Sequence, residues 1–311
     1  MSLPLSLKML PICLVAFALF VQCQPTVPLE RKQSLLRQTA VGPSNQFLVT
    51  PRWSPDGQRL LASGYHGKGL FVVDRKTSVA REWLPNFVGR ARWRGDHAIE
   101  LFVFSSANQA TSPHTLLDLK TGQVRDSKPT LRQWVSPEDH LLYEQLWERD
   151  GRKISYQWFQ QLLQIKVGDE VLMKQQGVWG VSVSPDGRMV AFSTGLLARG
   201  QLHVHDGKTI HDLGAGIHPT WSPDGRWLIY SRPKASDNET SASDLRKGQL
   251  ELIGADLYAV QLPEKRFVPL TETPHQFELE PAVSPDGNHI ACADWKSGRL
   301  LLLPFGIGGK R

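Results

Sequence analysis

Short β-rich apolar runs, parted by polar turns, recur along the chain. Leu60-Leu61-Ala62-Ser63, Met189-Val190-Ala191-Phe192-Ser193, Trp227-Leu228-Ile229-Tyr230-Ser231 and His289-Ile290-Ala291-Cys292-Ala293 each end on a small residue. After a loop, a second apolar run follows, such as Leu70-Phe71-Val72-Val73-Asp74 or Asp256-Leu257-Tyr258-Ala259-Val260. Runs of this length, bounded by turn residues, predict strands.

Ahead of each first run stands one pentapeptide. It reads Trp53-Ser54-Pro55-Asp56-Gly57, then Val183-Ser184-Pro185-Asp186-Gly187, Trp221-Ser222-Pro223-Asp224-Gly225 and Val283-Ser284-Pro285-Asp286-Gly287. Proline is pre-set for the second position of a type I turn, aspartate bonds its own backbone, and glycine takes the positive φ at the exit. Each copy therefore predicts a tight antiparallel hairpin. Four aspartates at equivalent turns are accounted for by backbone geometry, not catalysis. Two worn copies complete the series. Trp93-Arg94-Gly95-Asp96 precedes Ile99-Glu100-Leu101-Phe102-Val103, and Ser136-Pro137-Glu138-Asp139 precedes Leu141-Leu142-Tyr143.

The turn centres are spaced by about 40, 42, 48, 38 and 62 residues, close to the roughly 40–50 of a propeller blade. The last spacing is lengthened by a polar insertion, 233–248, which reads as a long loop on the face opposite the SPDG turns. The final repeat ends at Arg299–Pro304 with three strands. Leu35–Thr39 is placed to supply the fourth, since Phe267–Thr271 occupies the matching position before the last repeat. The expectation is an all-β, six-bladed propeller of four-stranded antiparallel blades, closed by an N-terminal strand in the last blade.

The SPDG turns and their flanking strands resemble the PD40 (WD40-like) repeats of TolB-like propellers, over nearly all of 35–305. The resemblance implies this architecture and hosts several functions. TolB-like proteins carry a further N-terminal domain, and the related peptidases carry an α/β-hydrolase domain with a G-x-S-x-G elbow. This sequence departs from both, with only 24–34 ahead of the first strand and no G-x-S-x-G elbow, so a bare propeller is expected. It further implies a periplasmic protein that docks a partner, as TolB docks the peptidoglycan-associated lipoprotein.

The N-terminus reads as an export signal, 1–23. Lys8 precedes a 13-residue apolar run, Met9–Val21, interrupted by Pro11. That is short for a membrane span. Cys23 fits lipidation as in a bacterial lipoprotein, although Gln22 replaces the small residue expected before it. Val21 and Cys23 also fit ordinary cleavage before Gln24. The domain reading is a signal at 1–23, a linker at 24–34, the propeller at 35–305 and a tail at 306–311. The location is the periplasm or outer membrane, or outside the cell. Cys292 falls on a strand as a small buried hydrophobe, and there is no disulfide framework. The net charge of +6 is dispersed, which argues against nucleic acid as a partner.

Loops leading into the inner strands should gather around the channel mouth. They carry Phe47, Asn86, Phe87, Arg90, Trp134, Trp179, His218, His275 and Phe277, aromatic and cationic residues of the kind that form protein-binding hot spots. Trp53, Trp93 and Trp221 repeat in register and are expected in the core. The leading expectation is a non-catalytic, monomeric scaffold for an envelope or extracellular protein, itself a lipoprotein in one version, with no cofactor. The alternatives are a channel-sited lyase or hydrolase, drawing on His218, His275, Glu278 and Glu280, and a glycan-binding propeller. His203, His205 and His211 would form a surface metal site if they converged, but no carboxylate joins them and no metal is expected.

Overall fold

The computed structural model describes residues 38–306, except 43–44, 65–67, 104–114, 127–133, 136–140, 150–151, 160–161, 168–169, 196, 236–251 and 263. Strands come in blades, each running outward from the channel. The last blade in sequence also holds the first strand, β1 (Thr39–Val41). Blade 1 comprises β2 (Leu48–Trp53), β3 (Arg59–Gly64), β4 (Lys68–Asp74) and the first half of β5 (Ala80–Trp93). The second half of β5 opens blade 2, followed by β6 (Ala98–Val103), β7 (Thr115–Asp118) and β8 (Val124–Asp126). Blade 3 runs through β9 (Trp134–Val135), β10 (Leu141–Arg149), β11 (Arg152–Phe159), β12 (Leu162–Val167) and β13 (Glu170–Gln175). Blade 4 holds β14 (Val178–Val183), β15 (Val190–Thr194), β16 (Gln201–His205) and β17 (Ile210–Ala215). Blade 5 holds β18 (Ile217–Trp221), β19 (Trp227–Ala235), β20 (Leu252–Gln261) and β21 (Arg266–Pro269). Blade 6 holds β22 (Glu278–Val283), β23 (His289–Asp294) and β24 (Arg299–Pro304), with β1 outermost in the order β1-β24-β23-β22. The fold is a six-bladed, all-antiparallel β-propeller.

Three details differ from the sequence reading. The described closing strand is Thr39–Val41, paired Thr39↔Leu302 through Val41↔Leu300, so it reaches past the expected Leu35–Thr39, of which Leu35–Arg37 lie outside the described residues. Apolar Val41 sits where it packs between blades, which fixes the register. The third sheet carries five strands, because β13 is added beyond the fourth strand β12, and this accounts for its longer repeat. The first three residues of the polar insertion, Pro233–Ala235, continue β19 and pair with β20.

Blade strands read as continuous apolar runs because each sheet lies between two others. Leu300 and Leu302 pack with Val41, Leu48, Trp53 and Phe71 on the blade 1 side. Leu301 and Leu303 pack with Trp227, Ile229, Leu257 and Cys292 on the blade 5 side. β19 alternates likewise: Trp227 and Ile229 meet blade 6, whereas Leu228 and Tyr230 meet Ala191, Leu202 and Val204 of blade 4. The period-2 alternation of a strand thus sorts one apolar run into two cores.

The repeated tryptophans tie blades together. Trp53 Nε1–H donates to Ala282 O at 2.9 Å, Trp93 Nε1–H to Arg52 O at 3.0 Å, and Trp221 Nε1–H to Ser182 O at 3.2 Å. In each case the acceptor lies on the inner strand of the preceding blade. Trp53 and Trp221 are buried, so their indole N–H groups need such partners, whereas Trp93 is only partly buried. The inner strands in turn pack as an arc, β14 on β18, β18 on β22 and β22 on β2.

Candidate functional site: the channel arc and the mouth face

The SPDG aspartates are committed to their turns. In the blade 6 copy, Ser284 Oγ–H donates to Asp286 Oδ1 at 2.5 Å and accepts His289 N–H at 2.9 Å, while Asp286 accepts Asn288 N–H at 3.0 Å. The copies at Ser54, Ser184 and Ser222 repeat these bonds. Burial works to raise the Asp286 carboxyl, but the Ser284 hydroxyl and the Asn288 amide outweigh it and hold the group at about 2. A second repeated turn, which sequence reading missed, links the third and fourth strands. Asp74 accepts N–H bonds from Lys76 and Thr77, Asp118 from Lys120 and Thr121, and Asp206 from Lys208 and Thr209. The signal was an Asp-x-Lys-Thr spelling at all three positions. It too is structural.

Chemistry gathers instead on the inner strands. Pairing shifts register between Val49 and Arg52, Trp179 and Ser182, Ile217 and Thr220, and Leu279 and Ala282. At each shift one residue has a positive φ: Thr50 (52°), Gly180 (55°), His218 (52°) and Glu280 (57°). These are β-bulges that re-aim one side chain per strand. Only Gly180 adopts this conformation freely. A non-glycine residue pays roughly 1–2 kcal/mol for it. Proline follows at 51, 219 and 281, where the interrupted ladder needs no donor. Blade 2 differs: Arg90 pairs regularly with Phe102.

The four bulges form one arc. A Cβ on Gly180 would stand 3.5 Å from His218 Cα. Glu280 Oε2 accepts Thr50 N–H at 2.7 Å. Burial lowers the His218 pKa against the opposing pull of Glu280, so the ring is neutral at pH 7. Its Nδ1 is closed off from solvent without a hydrogen-bond partner.

Glu278 lies elsewhere, in the seam between blades 5 and 6. It is fully buried, and Gln38 Nε2, Thr271 Oγ1 and Thr273 Oγ1 all donate to it, Thr273 at 2.8 Å. Burial raises its carboxyl, and neighbouring Asp256 adds to the rise. Asp256 is itself held by Lys234 Nζ at 2.5 Å and Thr273 N–H at 3.0 Å. Burial pushes the Cys292 thiol up well above its usual value, reinforced by Glu278 and Asp294. The set His218, His275, Glu278 and Glu280 therefore does not converge: Glu278 is sealed between blades and His275 is exposed on a loop.

The loops into the inner strands and the turns between second and third strands share a face. Phe277 N–H donates to Asp294 Oδ1 at 3.1 Å, Trp295 N–H to Phe277 O at 3.0 Å, and Leu48 N–H to Gly298 O at 2.7 Å. On this mouth face Asn86 and His275 are exposed and Phe277 is partly buried. Phe47 packs on Gly298, where an added Cβ would meet its ring at 2.5 Å. Phe87 is placed in the core with Leu61, Leu70, Ile99 and Leu101, which withdraws it from any partner. Arg90, Trp134 and Trp179 lie in strands, but their side chains are outside the described residues, as is Cys23. Sequence reading missed three exposed apolar residues at the second-to-third-strand ends of consecutive blades: Leu197 on the β15–β16 turn, Ile253 at the start of β20, and Trp295 on the β23–β24 turn. Arg199 and Lys296 stand exposed beside two of them.

The three histidines of the β16–β17 hairpin are each committed locally. His203 Nε2 is 2.9 Å from Thr194 Oγ1, His205 Nδ1 accepts Gly207 N–H at 3.0 Å, and His211 Nε2 is 2.8 Å from Asp206 Oδ2. The register opposes His211 to Val204, so the trio is not gathered.

No protein-family model matches this chain, and no curated protein does. Among solved structures it is similar to a chain of the mitotic checkpoint complex, at 12% identity, covering 96% of this chain and 99% of that one with a TM-score of 0.54. It is also similar to oligogalacturonate lyase from Vibrio parahaemolyticus, at 13% identity, covering 90% and 96% with a TM-score of 0.41. A TolB candidate from Agrobacterium tumefaciens shares 16% identity over 80% and 70% with a TM-score of 0.34. At such identities the likeness concerns fold alone, and it rests on the first of the three.

Proposed function

We propose that this chain is a non-catalytic cell-envelope scaffold of the PD40, TolB-like kind, which binds a protein partner through its mouth face. The observation that carries the reading is the set of exposed apolar residues on three successive blades: Leu197 and Trp295 on second-to-third-strand turns and Ile253 at the start of β20. Exposed large apolar side chains on one face mark interaction surfaces, and an exposed tryptophan flanked by a cation fits a hot spot. The cations Arg199 and Lys296 favour an acidic rim on the partner. Partly buried Phe277, exposed His275 and exposed Asn86 extend the surface, and Arg90, Trp134 and Trp179 belong to the same proposal. An export signal with lipid at Cys23 would hold the scaffold at a membrane surface, in the periplasm or at the outer membrane.

The test is affinity capture from envelope extract with the full chain, followed by a binding titration with the purified captured protein. The variant Leu197→Ser/Ile253→Ser/Trp295→Ala should weaken that titration at least tenfold with an unchanged urea midpoint. Undiminished binding would place the interface elsewhere. Palmitate labelling of the expressed chain tests Cys23, and an unlabelled mature protein would reject the lipid anchor.

A further inference from the structure

We infer that the channel arc formed by His218, Glu280 and Thr50 is a binding site for a primary ammonium group. The arc joins three inner strands, and each of the three side chains is set by a bulge with a left-handed backbone. Such local strain persists only where the surroundings impose it, and it concentrates at ligand sites. Gly180, the fourth member, brings no side chain, and a Cβ added there would touch the His218 backbone and Pro219 at 3.5 Å.

The chemistry of the arc selects the ligand. Glu280 is tied to the Thr50 N–H but has no ion pair with Lys or Arg among the described residues. His218 is neutral, because burial outweighs the pull of Glu280. Among the described residues the arc therefore carries one negative charge that no Lys or Arg pairs, in a partly enclosed setting, which favours a cation. Its side chains can accept: Glu280 is a carboxylate, and the neutral His218 imidazole has one acceptor nitrogen. An ammonium offers three donors. A metal ion fits less well, since no group of three metal-ligating side chains occurs among the described residues. The inference is independent of the partner-binding reading: a scaffold using another face would leave this site intact.

The experiment follows the imidazole signals of isotope-labelled full-length protein by NMR, with His218 assigned through His218→Asn. The probes are N-acetyl-lysine methylamide and its neutral counterpart N-acetyl-norleucine methylamide. The lysine probe should shift the His218 signals saturably, and the norleucine probe should not. Glu280→Gln, which keeps an acceptor for Thr50 N–H, should weaken binding at least tenfold while its urea midpoint stays near wild type. Affinity should also fall as the pH drops below the lowered His218 pKa, because a second cation then occupies the arc. Equal response to both probes, full binding by Glu280→Gln, or saturation by zinc or calcium at far lower concentration than by the lysine probe would overturn the inference.

Discussion

The serine of each SPDG turn does more than its common occurrence in loops suggests. Ser284 is fully buried, accepts one backbone N–H and donates to the aspartate two residues on. Ser284→Ala leaves the His289 N–H without its hydroxyl partner, and a buried donor so orphaned costs about 1–3 kcal/mol. Urea unfolding should show a loss in that range, and an unchanged midpoint would refute the role. Its partner Asp286 titrates below its unfolded value of 3.8, so the stability it lends is present above that pH and is lost as pH falls through about 2. Exposure to solvent keeps that contribution small. Glu278 has the opposite sign. Its folded pKa lies above 4.5, so the native state holds the extra proton and stability falls as pH rises from 4.5 through the folded value. Glu278→Gln should flatten this fall, read from urea midpoints across that range. Equal slopes in variant and wild type would show that the seam does not titrate. The turn serines and aspartates were legible as a repeat. Glu278 was not, because its donors come from residues 38, 271 and 273, which sequence spacing does not bring together.

Among elements, the β23–β24 hairpin is tightly constrained on the mouth face. Gly298 has φ 71°, and an added Cβ would meet Phe47 at 2.5 Å. Gly95 has a similar φ of 76°, but open space around it. Gly95→Ala should therefore cost only the conformational penalty, roughly 1–2 kcal/mol. Gly298→Ala should cost clearly more, since Phe47 must also move. Thermal denaturation of the two variants checks the order, and equal losses would mean that Phe47 yields freely. The inter-blade tryptophans predict a smaller effect. Trp221→Phe removes the donor to Ser182 O and should cost about 1 kcal/mol by urea unfolding. No loss would assign the repeat to packing alone. The bulges had a signal in the sequence, a proline inside three predicted strands at 51, 219 and 281. Reading it would have brought Thr50 into the candidate site beside His218.

At the scale of the molecule, closure depends on a strand of three residues. β1 covers the outer edge of β24, whose Leu300–Leu303 run is buried on both faces. Deleting the chain through Val41 exposes that edge and the packing surface beneath it. Such an edge pairs with other chains, so the truncated protein should aggregate or dimerise by light scattering and lose its single cooperative transition. A monomer with an unchanged midpoint would show that the ring holds without β1.

The sequence by itself determined the repeat, and through it the propeller. SPDG turns, β-rich runs and their spacing are local features, dictated by backbone conformations that few residues adopt. It also located the closing strand to within a few residues, because apolar patterning alone leaves register free until a facing blade supplies the hole for Val41. The tertiary structure decided which side chains share a site. Phe87 turned into the core, Glu278 into a seam, and His218 and Glu280 into one channel arc although 62 residues separate them. In a ring of blades, proximity at the axis comes from bulges and from packing between neighbouring sheets, and neither has a fixed distance along the chain.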